Sequence, residues 1–248
     1  MTWAGKRYWL VGGSEGLGLA LAAVMRAAGA EVVLSARSAE GLAEACRKVP
    51  GATSVVCDVA DADSVARAAA EAGAVDGVVF LAGVYWPMSG QTIDAERLEM
   101  MCDVNFTGCA RVIGAVLPEM TARGHGHLVV TGSLSGFRGL PGAVGYGASK
   151  AGVMALAESL YADLRGTGIT VQLANPGFIR TRLTAKNNFA MPFLMAPEAA
   201  AQEMFALMNS RSFKRNFPMV FSWLFRLSQF LPDWTYYPLF APIPSRKP

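Results

Sequence analysis

A glycine-rich run, Gly12-Gly-Ser-Glu-Gly16-Leu-Gly18, separates an apolar stretch, Arg7 to Val11, from an Ala- and Leu-rich stretch, Leu19 to Ala28. Strand, glycine turn and helix in that order constrain the fold of this chain more than any other feature. Glycines let the turn tighten and let backbone N–H groups and a helix N-terminus approach an anionic group, the pyrophosphate of a dinucleotide above all. The spacing alone also fits a purely structural turn. Its place between a strand and a helix favours the cofactor reading, which singles out Gly12, Ser14, Glu15, Gly16, Leu17 and Gly18.

The same alternation continues down the chain. Strand-like runs at Glu31 to Ser35, Thr53 to Cys57, Asp76 to Leu81, His127 to Thr131 and Ile169 to Ala174 are separated by helical patterns, the longest from Asp94 to Thr121. Six strands alternating with helices predict an α/β fold, a doubly wound parallel sheet of Rossmann type, which binds ligands at the carboxyl ends of its strands. The 248 residues fit a single domain with its core over 5–210, and 52% hydrophobic against 17% charged residues excludes disorder. Arg37 follows the second strand, where NAD-binding folds tend to place an acid on the ribose 2′-OH. An arginine there suits a 2′-phosphate, so NADP is preferred, with NAD as the alternative. Glu15 argues the other way, since its charge would lie near that phosphate. At the end of the third strand, Asp58-Val59 either meets the adenine or caps the helix that follows. Ala82-Gly83 closes the fourth strand.

The segment Ser133 to Lys150 carries the candidate chemistry. Tyr146 and Lys150 are four residues apart and share one face of a helix. An ammonium near a phenol favours the phenolate, so Lys150 is expected to lower the Tyr146 pKa towards the range of a general acid or base. Ser133 follows the fifth strand, where its hydroxyl can bond the substrate oxygen that Tyr146 protonates. A bare Tyr-x-x-x-Lys is most often an ordinary surface pair; its company here overturns that reading. Asn105, inside the long helical pattern, is either a satisfied core amide or part of a polar relay.

Charge and composition exclude other classes. The net charge is +3 with scattered basic residues, which gives no footprint for nucleic acid. Four cysteines without metal-ligand spacing, and two histidines in the Gly-flanked His125-Gly-His127, argue against a metal site. The histidines read as solvated turn residues. The chain enters its first strand within a few residues of Met1 and has no uninterrupted apolar span of bilayer length, so a cytoplasmic protein with reduced thiols is expected.

Together these motifs resemble the short-chain dehydrogenase/reductase family over about residues 5 to 210. Gly12, Gly16 and Gly18 match its glycine motif, with Val11 where the family usually has Thr. Ala82-Gly83 matches its Asn-Ala-Gly motif with Leu81 in place of the Asn that braces the central sheet. Asn105, Ser133, Tyr146 and Lys150 match its catalytic tetrad. The resemblance implies hydride exchange between a nicotinamide cofactor and a carbonyl or alcohol carbon. It gives Tyr146 the proton, Ser133 the substrate oxygen, Lys150 the nicotinamide ribose, and Asn105 a water that links Lys150 to solvent. It also places Pro176, Gly177, Ile179 and Thr181 beside the nicotinamide, and implies a homodimer or tetramer.

The resemblance makes 181–197 a mobile loop over the substrate. Phe189, Met191 and Phe193 are the candidates for an apolar pocket, with Ser135 as a further substrate-side candidate, and packing of the loop on the core is the plainer alternative. The expected substrate is therefore a small hydrophobic carbonyl or alcohol, with a 3-keto-lipid (ketosphinganine-like) or a steroid as narrower readings. A catalytically idle cofactor sensor or scaffold is the reading from another class. The extension 213–248 carries a strand near Ser212 to Phe217 and an aromatic helix from Met219 to Leu231, flanked by Arg211, Lys214, Arg215, Arg246 and Lys247. Burial in the protein or a subunit interface is the expected use of 213–240, with peripheral membrane contact as the alternative.

Overall fold

A computed structural model describes residues 2–241; Arg246 and Lys247 lie outside the described residues. Its strands are β1 (Arg7–Val11), β2 (Glu31–Ala36), β3 (Thr53–Val56), β4 (Gly77–Phe80), β5 (Gly126–Thr131), β6 (Ile169–Pro176) and β7 (Lys214–Phe217). They form one sheet in the order β3-β2-β1-β4-β5-β6-β7, every pairing parallel. The direction of strand order reverses between β1 and β4, which opens a crevice at their carboxyl ends.

Strands such as Tyr8-Trp9-Leu10-Val11 are apolar throughout because both faces of the sheet are covered. One face packs Trp9, Val78, Leu128 and Val171 against α3 (Ala62–Ala72), α5 (Gly108–Arg123) and α6 (Val144–Asp163). The other packs Leu10, Val32, Val79 and Val129 against α1 (Gly16–Ala27), α2 (Ala39–Lys48) and α7 (Pro197–Met208).

Three features depart from the sequence reading. The long helix expected from Asp94 to Thr121 runs unbroken over Ala95–Arg123, but a π-helical turn at Asp103–Thr107 divides it into α4 (Ala95–Cys102) and α5. Such turns insert a residue into a helix and are frequent at functional sites; Asn105 sits in this one. The second correction concerns His127, which is no turn residue but a buried member of β5, while His125 is exposed. The Tyr8 hydroxyl lies 2.8 Å from its Nδ1, and the Gln172 side-chain oxygen 3.0 Å from its Nε2. Gly77 stands between Tyr8 and His127 in the sheet, and a Cβ on it would fall 2.3 Å from the Tyr8 ring. Glycine is what lets the phenol cross β4 to the imidazole.

The tail supplies the third. After β7 come α8 (Met219–Ser228) and α9 (Asp233–Phe240), two short helices where one running to Leu231 was expected. Burial of this segment within the chain is not what is found. Phe221 and Tyr236 face inward, but Met219, Trp223, Leu224, Leu227, Phe230, Trp234 and Leu239 are exposed.

Candidate active site

The crevice at the β1/β4 switch point is a cleft of about 800 Å³. Its floor is the glycine turn and its walls are the carboxyl ends of the other strands. All the residues anticipated for the cofactor line it: the turn from Gly12 to Gly18, Arg37 after β2, Asp58 and Val59 after β3, Ala82 and Gly83 after β4, Tyr146 and Lys150 on α6, and Pro176, Gly177, Ile179 and Thr181 after β6.

Backbone contacts explain the glycines. Gly12 has φ +91°, and a Cβ there would lie 2.5 Å from the Ala82 nitrogen; one on Gly18 would lie 2.3 Å from the Gly12 oxygen. Only glycine lets α1 start this close to β1 and β4. At that start no side chain caps the helix, and its first turn holds no acid. Uncapped N–H groups at the positive end of the helix dipole fit a pyrophosphate.

Arg37 is exposed on the lining of the cleft, after β2. Glu15 does not stand free beside it: its carboxylate pairs with Arg182, in the loop after β6. Asp61, not Asp58, caps α3, accepting from the Asp63 N–H; Asp58 accepts from the Ala60 N–H and lines the cleft. Leu81 donates its N–H to the Val11 oxygen and packs its side chain on the apolar layer. No polar side chain takes over at that position.

The catalytic candidates meet at the opposite end of the cleft. Ser133 follows β5 and opens a short 3-10 turn, Leu134–Gly136. Its oxygen accepts both the Ser135 N–H, at 3.2 Å, and the Ser135 hydroxyl, at 2.9 Å. With its lone pairs so engaged, the Ser133 proton is left to donate. Ser135 thus orients the Ser133 hydroxyl, a contact that its place in the sequence did not reveal. The Ser133 side chain lies against the Tyr146 phenol and favours its ionised form, but burial dominates and pushes the phenol up to about 12. Tyr85 meets its ring edge-on, with centroids 5.0 Å apart.

Lys150 corrects an expectation. Its ammonium is buried, donates to the Thr131 carbonyl at 2.8 Å, and lies 5.8 Å from the centre of the Tyr146 ring. Burial lowers its own pKa to about 8. At that distance it does not offset the desolvation of the phenol, so the anticipated fall in the Tyr146 pKa is absent from the protein alone.

Asn105 has every side-chain group occupied. It accepts the Val84 N–H at 2.7 Å and donates to the Val84 oxygen and to Ser149 Oγ, each at 3.0 Å. It pins the loop after β4 rather than touching Lys150. A Cβ on Gly83 would lie 3.4 Å from the Asn105 oxygen and 3.9 Å from the Lys150 nitrogen, so the glycine keeps the space between them open. Of the substrate-side candidates, Phe189 and Phe193 are exposed and Met191 is half-buried, with Asn187 donating to its sulfur. Phe189 packs on Phe178, and Phe193 on Phe221 of α8. The loop and the tail therefore share one aromatic cluster.

Residues 6–191 match the model of a family described as short chain dehydrogenase. An uncharacterized oxidoreductase of Myxococcus xanthus is 42% identical over 204 residues, 79% of this chain and 80% of that protein. A 3-dehydrosphinganine reductase of Arabidopsis thaliana is 38% identical over 69% of this chain, which spans only 54% of the plant protein. Among solved structures, a short chain dehydrogenase/reductase family protein superposes with a TM-score of 0.79 at 34% identity, over 84% of this chain and 91% of that one. A gluconate 5-dehydrogenase from Burkholderia cenocepacia, solved with NADP and tartrate, gives 0.76 at 26% identity over 82% and 88%.

Proposed function

The chain belongs to the short-chain dehydrogenase family, oxidoreductases of alcohol and ketone groups, and on that premise we propose that it is an NADPH-dependent reductase of hydrophobic ketones. The observation that carries this reading is the cluster of Ser133, Tyr146 and Lys150 at one end of a glycine-floored cleft. The fit to a dinucleotide rests on the uncapped start of α1, which Gly12 and Gly18 bring against β1 and β4 because no Cβ would fit between those backbones.

When bound, the nicotinamide supplies or takes the hydride. The chain's own residues handle the proton and the charge. Ser133, made a donor by Ser135, holds the ketone oxygen and stabilises the negative charge that grows on it. Tyr146 gives that oxygen its proton. A phenol held near 12 is protonated at neutral pH, the form that gives a proton to a developing alkoxide. Lys150, held against the Thr131 carbonyl, would hold the nicotinamide ribose, and its charge steadies the phenolate left after transfer.

Arg37 carries the cofactor preference. Arg37→Asp should weaken NADPH binding about 10- to 100-fold, the loss of one charge-assisted contact, and bring NADH to parity. Titration calorimetry with both cofactors measures this, and an unchanged ratio would remove Arg37 from the site.

The aromatic cluster of loop and tail supports an apolar substrate, and the exposed loop supports one that is long rather than compact. The reading is tested with ketones graded in chain length. kcat/KM for NADPH oxidation should rise with each added methylene; a flat series would point to a polar substrate. The four free thiols, Cys46, Cys57, Cys102 and Cys109, support a reducing, cytoplasmic setting for the enzyme.

A further inference from the structure

Helix α8 is amphipathic the wrong way round for a lone globular domain. Its hydroxyls point in: Ser222 and Ser228 are 2% and 3% exposed. Its outward face is Val220, Trp223, Leu224 and Leu227, spaced at i, i+3, i+4 and i+7, with Leu227 58% exposed. The surface continues past the helix through Phe230 and Trp234, 85% and 79% exposed. Neither residue is loosely placed. Arg138, five residues after Ser133, donates to the backbone oxygens of Ser228 and Leu231 at 2.7 and 2.6 Å and pairs with Asp233. Its guanidinium lies 3.8 Å from the centre of the Tyr236 ring, whose hydroxyl donates to the Gly139 oxygen at 2.8 Å. A fixed apolar face of this extent marks an interaction surface.

We propose that the outer face of α8 and α9 docks on an anionic lipid bilayer. Charge decides between a bilayer and a second copy of the chain. From residue 211 onward the sequence has six basic residues and one acid, Asp233, which Arg138 already holds. Lys214 and Arg215 pair with Glu158 and Glu203, which leaves Arg211 and Arg226 without an acidic partner among the described residues. Arg226 lies over the Trp223 ring at 4.4 Å. A two-fold contact of this face with itself would set cations against cations with no free acid to answer them. Anionic headgroups answer them, and exposed Trp and Tyr are the side chains that favour the headgroup region. The inner face of α8 meets the substrate loop through Phe221, packed on Phe178 and Phe193. Docking therefore sets the cleft mouth beside the bilayer, and an acyl-chain ketone enters from the lipid. That last step rests on the reductase reading; the docking does not.

The test compares the full chain with a triple variant, Leu224→Ser, Leu227→Ser and Phe230→Ser, all on the outer face. Sedimentation uses vesicles of phosphatidylglycerol and phosphatidylcholine in equal parts, or of phosphatidylcholine alone, and light scattering reads the mass. The wild type should pellet with the anionic vesicles, less so as salt is added. The variant should lose at least ~10-fold in binding at unchanged mass, since three exposed apolar side chains that enter the bilayer on docking are removed. The variant should still turn over a water-soluble ketone at the wild-type rate. Tyr146→Phe should bind vesicles as the wild type does, so failure of the enzyme reading and failure of docking are separable. Absence of wild-type vesicle binding, equal binding by the triple variant, or a fall in that variant's mass would overturn the proposal, the last by making the face a subunit contact.

Discussion

Tyr146→Phe should lower ketone turnover by about 10³-fold while leaving NADPH affinity within a factor of about two. The substitution removes one oxygen and nothing else. The ring keeps its edge-on contact with Tyr85, and Lys150 keeps its bond to Thr131. The glycine floor, the open start of α1 and Arg37 are untouched, so the cofactor meets the same cleft. What is lost is the proton that neutralises the developing alkoxide, which Ser133 stabilises but does not protonate in its place. Stopped-flow fluorescence of bound NADPH and steady-state turnover separate the two effects. Turnover within a few-fold of the wild type would take the general-acid role from Tyr146.

The second large effect concerns stability and lies at the other end of the sheet. His127 is buried between Tyr8 and Gln172, and burial lowers its pKa from 6.5 to about 4. The unfolded chain therefore takes up a proton as pH falls below 6.5, whereas the folded protein refuses it until about 4. The stability tied to this group is whole above pH 6.5, declines between 6.5 and 4, and levels off below, for a total of about 3 kcal/mol. His127→Gln removes the titrating group and keeps polar atoms for Tyr8 and Gln172. Urea midpoints measured across that range should fall for the wild type and stay nearly level for the variant, relative to one another. Parallel curves would mean that the imidazole is protonated in the folded state.

His127 also shows where the sequence misleads. Flanked by Gly126 and close to Gly124, it has the local appearance of a turn. What fixes it in β5 is register: Gly77 opposite it makes room for Tyr8, a residue 119 positions away. The sheet itself was legible because its signals are local, apolar runs closed by glycine or a polar residue at regular intervals. Tyr146 and Lys150 were legible for the same reason, being one helical turn apart, and Ser133 by its place at a strand end. Asn105 was visible as an oddity in a helix, yet the π-helical turn around it and its bonds to Val84 and Ser149 depend on the packing of α4 against α6.

The electrostatics of the site were least legible. Spacing put an ammonium near a phenol, but burial acts on both groups and outweighs their attraction, raising one pKa and lowering the other. Pairing of Glu15 with Arg182 joins residues 167 apart, so neither the neutralised charge nor the loop's closeness to the glycine turn could be read in advance. The tail misled in the opposite sense. An apolar aromatic stripe predicts burial, whereas Phe221 and Tyr236 turn in beside the serines of α8 and Trp223, Phe230 and Trp234 stay outside.

Transfer of deuterium from NADPH labelled at the hydride-bearing carbon tests the central claim most directly. Incubated with a long-chain ketone, the wild-type protein should yield the alcohol with one deuterium on the former carbonyl carbon, and Tyr146→Phe should yield almost none. Alcohol without the label, or no alcohol from any ketone despite tight NADPH binding, would contradict the account and leave a protein that holds the cofactor without using it.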